Sequence, residues 1–190
     1  MAGLTIQSVT SRLSSTQRIA SISLFTALAV ATDYAMLPLT NVKLMDSLVF
    51  VSALTFGLTV GVSVASLTWL VYGSINPYGS AGGFLLVLLM ISETIYALLG
   101  YLVSKRMNPD QFNISTRSAF WGSLGFIGAF LYDLNTIITP YLVIGVQPQV
   151  ALASLLPAIP FMLAHEVSDF VFFATAAPVV YIAMQRVIRR

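Results

Sequence analysis

Glu93, Asp133, His165, Glu166 and Asp169 stand inside long apolar runs of the sequence, where ionisable side chains are rare. A carboxylate placed in hydrocarbon costs roughly a few kcal/mol or more, so such groups are kept to bind, to carry protons or to pair with one another. Polar aromatic and amide side chains accompany them. Tyr96 follows Glu93 by one helical turn, and Tyr132 and Asn135 flank Asp133. Such rings can lie on a flat solute while their hydroxyls stay hydrogen-bonded. Any single carboxylate of the group also has a structural reading, protonated or paired with His165 or a neighbouring helix. Their convergence is what points to a binding site.

A metal is a second chemistry for the same residues. His165 and Glu166 are adjacent and point in different directions on a helix, whereas His165 and Asp169, four residues apart, share a face and could share an ion with Glu93 or Asp133. The spacing favours an organic solute over this, so the reading carries no metal and no cofactor.

The elements that must position these residues follow from hydrophobic runs. The chain has 190 residues, of which 57% are hydrophobic and only 8% charged, against roughly a quarter charged in ordinary soluble domains. The expectation is one all-α, integral membrane domain over residues 1–190. Residues 1–17 are polar, with Ile6, Val9 and Leu13 at the spacing of a short interfacial helix, and no cleavage pattern marks them as a signal peptide. Apolar spans are expected at 18–37, at 44–75 split into two near Gly57 and Gly61, at 84–104, at 118–143 and at 158–190, the last kinked near Pro178. Loops are expected at 76–83, 105–117 and 146–157.

Six transmembrane helices put both termini on one side. The positive-inside rule agrees, since Arg12, Arg18, Lys105, Arg106, Arg117, Arg186, Arg189 and Arg190 then all face the cytoplasm and only Lys43 lies outside. On that count Glu93, Asp133, His165, Glu166 and Asp169 fall at overlapping depth in the middle and outer part of the membrane. Asp33, Asp46 and Lys43 lie just above them, and Asn76 and Tyr78 sit in an outer loop able to cap the cavity. The candidate substrate-binding residues are therefore Lys43, Asn76, Tyr78, Glu93, Tyr96, Asp133, Asn135, His165, Glu166 and Asp169.

Several function classes are excluded or unsupported. Cysteine is absent, which removes disulfides, thiolate metal sites and cysteine nucleophiles. No nucleophile elbow, phosphate loop, zinc-protease motif or dinucleotide fingerprint is present, so an enzyme is not expected. The formal charge of +2 is spread too thinly to track a nucleic-acid backbone. The Asn113-Ile114-Ser115 triplet matches a glycosylation acceptor but falls on the cytoplasmic side.

One packing feature stands apart from the acidic residues. Ser23, Ala27, Ala31 and Ala35 recur every fourth residue along the first span, making a smooth face on which another helix can approach closely, within the molecule or from a partner.

These residues together resemble the substrate-binding (S) components of energy-coupling factor (ECF) transporters, which import vitamins and micronutrients. The resemblance covers nearly the whole chain. It rests on the Ala27 to Ala31 stripe, on Asp46 to Gly61 with its Phe56-Gly57 and Gly61, and on the loop Tyr72-Gly73-Ser74-Ile75-Asn76-Pro77-Tyr78-Gly79. Tyr132-Asp133-Leu134-Asn135-Thr136, His165 with Asp169, and the Pro178 to Arg186 ending complete it. It implies a multi-pass subunit of the cell membrane whose pocket is roofed by the loops after helices one, three and five. It also implies that the stripe contacts a transmembrane coupling (T) subunit driven by two cytosolic ATPase subunits. Asp169 stands where many members have Asn. The carboxylate-rich pocket favours a cationic or neutral heterocyclic, thiamine-like solute over a polyanionic, folate-like one. The alternatives are a stand-alone proton-coupled carrier using Glu93 or Asp133, against which the halves lack a visible repeat, and an intramembrane enzyme using His165 with Glu166 or Asp169, which lacks a nucleophile.

Overall fold

The computed structural model describes residues 14–107 and 113–188, so the expectations for residues 1–13, for the middle of the 105–117 loop and for Arg189 and Arg190 lie outside the described residues. Within them the chain is all helical and has no strand. The elements are α1 (Ser15–Ala35), α2 (Met45–Phe56), α3 (Leu58–Ser74), α4 (Gly83–Arg106), α5 (Ile114–Val143), α6 (Pro148–Ala153) and α7 (Leu155–Ile188).

Local chemistry sets the boundaries, and at several ends it overrides the apolar pattern. α1 begins at Ser15 instead of Arg18 because Ser14 and Gln17 form a reciprocal cap: the Ser14 side chain accepts from the Gln17 amide at 3.2 Å while Gln17 accepts from the Ser14 amide at 2.9 Å. α5 begins at Ile114 instead of Ser118 because Asn113 is its N-cap, its side chain accepting from the Thr116 amide at 2.8 Å. The expected loop at 146–157 is largely helical. Pro148 opens α6 and Pro157 falls in the first turn of α7, where proline's missing N–H has no intrahelical partner to lose.

The expected break in the long apolar run falls at Gly57. Its φ of 94° is a left-handed value that only glycine adopts without strain, and the chain reverses there. A Cβ built on Gly61 would run into Ala53, so the residues four before and four after Gly57 face each other and α2 and α3 form a hairpin. α2 is apolar on every side and every residue from Met45 to Thr55 is buried, the behaviour of a helix enclosed by its neighbours. α1, α3, α4 and α7 surround it.

The helices alternate in direction. Tyr34 near the end of α1 meets the end of α3, its ring 5.6 Å from that of Tyr72 and its hydroxyl donating to the Ile75 carbonyl at 2.8 Å. At the other end of the bundle Trp121, early in α5, meets Tyr181, late in α7, at 5.5 Å. Phe50 of α2 joins the two layers, with its ring 5.4 Å from Trp121 and 5.0 Å from Phe173.

Glycines let the long helices close on one another. A Cβ at Gly125 of α5 would lie 2.7 Å from the Asp169 carbonyl oxygen and equally near the Phe173 ring, and one at Gly128 would lie 2.7 Å from Tyr96. The α5 backbone therefore rests directly on α7 and α4 at the level of the acidic residues.

α4, α5 and α7 are long and apolar enough to cross a membrane; α2 and α3 are apolar but shorter, at 12 and 17 residues. The outer faces carry exposed Val87, Ile91, Phe126, Phe130, Val167 and Val171, while Asp33, Asp46, Glu93, Asp133, His165 and Asp169 are buried. An apolar exterior around a charged interior is the arrangement of a membrane protein.

Candidate functional site

His165 is the centre of the buried polar cluster. It lies about three turns into α7 and is 1% exposed. Its Nδ1 faces Asp133 Oδ1 of α5 at 3.1 Å, and its Nε2 faces Asp46 Oδ2 of α2 at 3.0 Å. Asp169, one turn further along α7, places Oδ2 3.9 Å from the same Nε2, and the Tyr96 hydroxyl of α4 lies 3.4 Å from it. Four helices thus converge on one imidazole. Packing explains why they can: Gly125 and Gly128 bring the α5 and α7 backbones and Tyr96 together around it.

A second layer lies toward the loops. Trp69 of α3 donates its indole N–H to Glu93 Oε2 at 3.1 Å and lies nearly parallel to Tyr132, with centroids 6.4 Å apart. The Lys43 ammonium sits over the Trp69 ring at 4.1 Å, with Tyr72 at 5.9 Å and Tyr132 at 6.0 Å. This is a cation held on aromatic faces, near Asp33 and Glu93. Asn135 closes the side of the chamber, donating to Ser92 Oγ and accepting from Thr139 Oγ1, each at 2.8 Å.

Many polar atoms here are paired, but several buried ones are not. Asp133 Oδ2 and the Tyr132 hydroxyl are buried without a hydrogen-bond partner among the described residues, whereas Asp33 meets the Met45 backbone, Glu93 meets Asp46, and Asp169 meets Tyr96 and Asp46. An unmet buried acceptor costs roughly 1–3 kcal/mol, more for a charged group, so each such atom calls for a counterpart. The cluster offers a counterpart carboxylate oxygens, a hydroxyl and the rings of Trp69 and Tyr132.

The structure brings Lys43, Glu93, Tyr96, Asp133, Asn135, His165 and Asp169 together. Glu166 is buried beside His165 and interacts electrostatically with Asp133, but no hydrogen bond ties it to the cluster. Tyr78 does not join: it is 79% exposed. Asn76 serves the loop itself, its side-chain oxygen accepting from the Tyr78 amide at 2.9 Å. Sequence reasoning left out Asp46, Trp69 and Tyr132 as site residues. Asp46 was legible as an acidic residue at the edge of an apolar run but was placed above the cavity, because the burial of the whole first turn of α2 has no periodic signature. Trp69 carried no signal, since α3 is apolar all round.

The small-residue stripe faces outward. Ser23, Ala27, Ala31 and Ala35 are all exposed, whereas the inner face of α1 is Phe25, Ala29 and Asp33. The stripe is not an internal helix contact.

Charge separates the two ends of the bundle. Arg18, Lys105, Arg106, Arg117 and Arg186 lie at helix ends remote from the chamber, and Lys43 is the described basic residue at the chamber end. Comparison of the chain with protein-family models, with curated proteins and with solved structures finds no match.

Proposed function

We propose that the chain is the solute-capturing S component of an ECF-type importer. On this reading it crosses the cell membrane six times, with α2 and α3 as a short paired hairpin and both termini in the cytoplasm. The observation that carries the reading is the buried polar cluster: Asp133 Oδ2 and the Tyr132 hydroxyl, left without partners among the described residues, beside the Trp69 and Tyr132 rings. A cationic or neutral heterocycle of vitamin size meets both features, giving donors to the acceptors and a flat face to the rings. Two further observations support it. The described basic helix ends lie at the end of the bundle away from the polar cluster, which under the positive-inside rule supports an outward-facing cluster. The exposed stripe on α1 offers a smooth face to a coupling subunit driven by two ATPases. No nucleic-acid partner and no catalytic step enter this function.

The chain of Asp133, His165 and Asp46 is also what a stand-alone proton-coupled carrier would use, and one experiment separates the two. The protein purified in mild detergent, denatured and analysed by mass spectrometry should release a bound small molecule. Reconstituted alone in vesicles, it should fail to accumulate that molecule under a pH gradient. Accumulation driven by the gradient alone would establish the carrier instead.

A further inference from the structure

We infer that Asp46, His165 and Asp169 form a binding site for a divalent transition-metal cation, with Asp133 as the residue that orients the histidine. The inference uses the residues of the chamber but stands whether or not the chain hands solute to a coupling subunit. It departs from the metal-free reading of the sequence, which paired His165 and Asp169 with Glu93 or Asp133 and did not bring Asp46 to them.

The geometry is specific. One donor atom each from Asp46, His165 and Asp169 lie within 4.8 Å of one another. His165 Nε2 is 3.0 Å from Asp46 Oδ2 and 3.9 Å from Asp169 Oδ2, both inside the limit of about 4.4 Å that two donors bonded to one ion at about 2.2 Å can have, so a small inward shift of the carboxylates brings all three onto one ion. Behind the ring, Nδ1 meets Asp133 Oδ1 at 3.1 Å. A carboxylate that accepts the hydrogen bond from Nδ1–H holds the tautomer in which Nε2 can ligate and fixes the plane of the ring, the usual outer-shell partner of a metal-bound histidine.

A second observation is independent of that triangle. Asp169 is 0% exposed, and its described partners are the imidazole at 3.9 Å, the Tyr96 hydroxyl and the Asp46 carboxylate. A fully buried carboxylate at ion-pair distance from one imidazole, and electrostatically coupled to Asp46 and through it to Glu93, is short of positive charge. Either protons or a cation must offset that cluster. An imidazole with two carboxylates suits first-row ions such as Mn²⁺, Co²⁺, Ni²⁺ and Zn²⁺, and the nitrogen donor ranks them above Mg²⁺. Three protein donors leave coordination positions on the chamber side, where Tyr96 and Glu93 stand.

The test is equilibrium binding of each ion to the full chain purified in detergent and freed of metal by chelator. One equivalent of Co²⁺ or Ni²⁺ is expected by calorimetry, with Mg²⁺ failing to compete at equal concentration. Co²⁺ should gain visible absorption and raise the melting temperature. Asp46→Asn and Asp169→Asn, which keep shape and remove charge, should lose the site. Asp133→Asn should weaken it by about 10–100-fold while leaving the Co²⁺ absorption in place once saturated, as expected of a positioning residue and not of a ligand. Wild-type affinity in both Asp46→Asn and Asp169→Asn would overturn the ligand assignment. The wild-type titration does not depend on the variants folding: a helical, monodisperse wild-type protein that takes up none of these ions would overturn the site and leave protons as the counter-charge. Capture of solute and metal uptake are read separately, so loss of one does not decide the other.

Discussion

Trp69 holds Glu93 from one side while Lys43 lies on its ring, so a single indole connects the loop after α1, the end of α3 and the middle of α4. Trp69→Phe keeps most of the ring and removes only the donor. Glu93 then loses the indole hydrogen bond in a fully buried setting, which costs about 1–3 kcal/mol. The expected result is a lower melting temperature in detergent and weaker capture of the solute; an unchanged melting temperature would show that Glu93 does not depend on the indole. At this scale the sequence was informative wherever a charged residue interrupted an apolar run, because burial of charge is expensive enough to be visible as rarity. It was silent where the site residue was itself apolar in type, as Trp69 is. Tyr78, whose residue type suits a pocket, is exposed on its loop and stands apart from the buried cluster.

At the scale of elements, hydrophobic runs placed every major helix and the Gly57 break, since a left-handed φ of 94° has a glycine as its mark. The ends were set by individual hydrogen bonds instead. Asn113 looked like a modification motif and is a helix cap, and Pro148 and Pro157 looked like loop markers and sit in first turns. The close packing of α5 against α7 was not legible, because it depends on which glycine of several meets which backbone. Gly125 is the sharpest case, with the Asp169 carbonyl oxygen 2.7 Å from where a Cβ would be. Gly125→Val must push α7 away and carry His165 and Asp169 with it. A loss of about 1–3 kcal/mol is expected for such overpacking, read as a fall in melting temperature together with reduced solute binding. Retained stability would mean that the two backbones separate without strain.

At the scale of the molecule, the buried polar cluster lies toward one end of the bundle, the described basic helix ends lie at the other, and the small-residue stripe, the proposed docking face, runs along the outside of α1. Enlarging Ala31 tests it cleanly because Ala31 is exposed, so a bulky side chain there meets nothing inside the protein. Ala31→Trp should leave folding and solute affinity unchanged, abolish co-purification with a coupling subunit and stop uptake by whole cells. Normal uptake by a stably expressed Ala31→Trp protein would remove the stripe from energy coupling. The number of crossings was read from charge, whereas burial in the fold depends on neighbours that no single segment announces.

The enclosure of α2 bears on how the protein is made. Asp46 and His165 touch although 119 residues separate them. α2 emerges from the ribosome long before α7, and at 12 residues it is about 18 Å long, too short to cross roughly 30 Å of hydrocarbon by itself. On the proposed six-crossing reading it enters the bilayer together with α3 as one hairpin, and Asp46 goes in without its histidine. The carboxylate then lacks its imidazole partner until α7 is made. Synthesis of α7 is therefore the event that completes the charged interior, and a chain stopped short of it leaves Asp46 unpaired with His165.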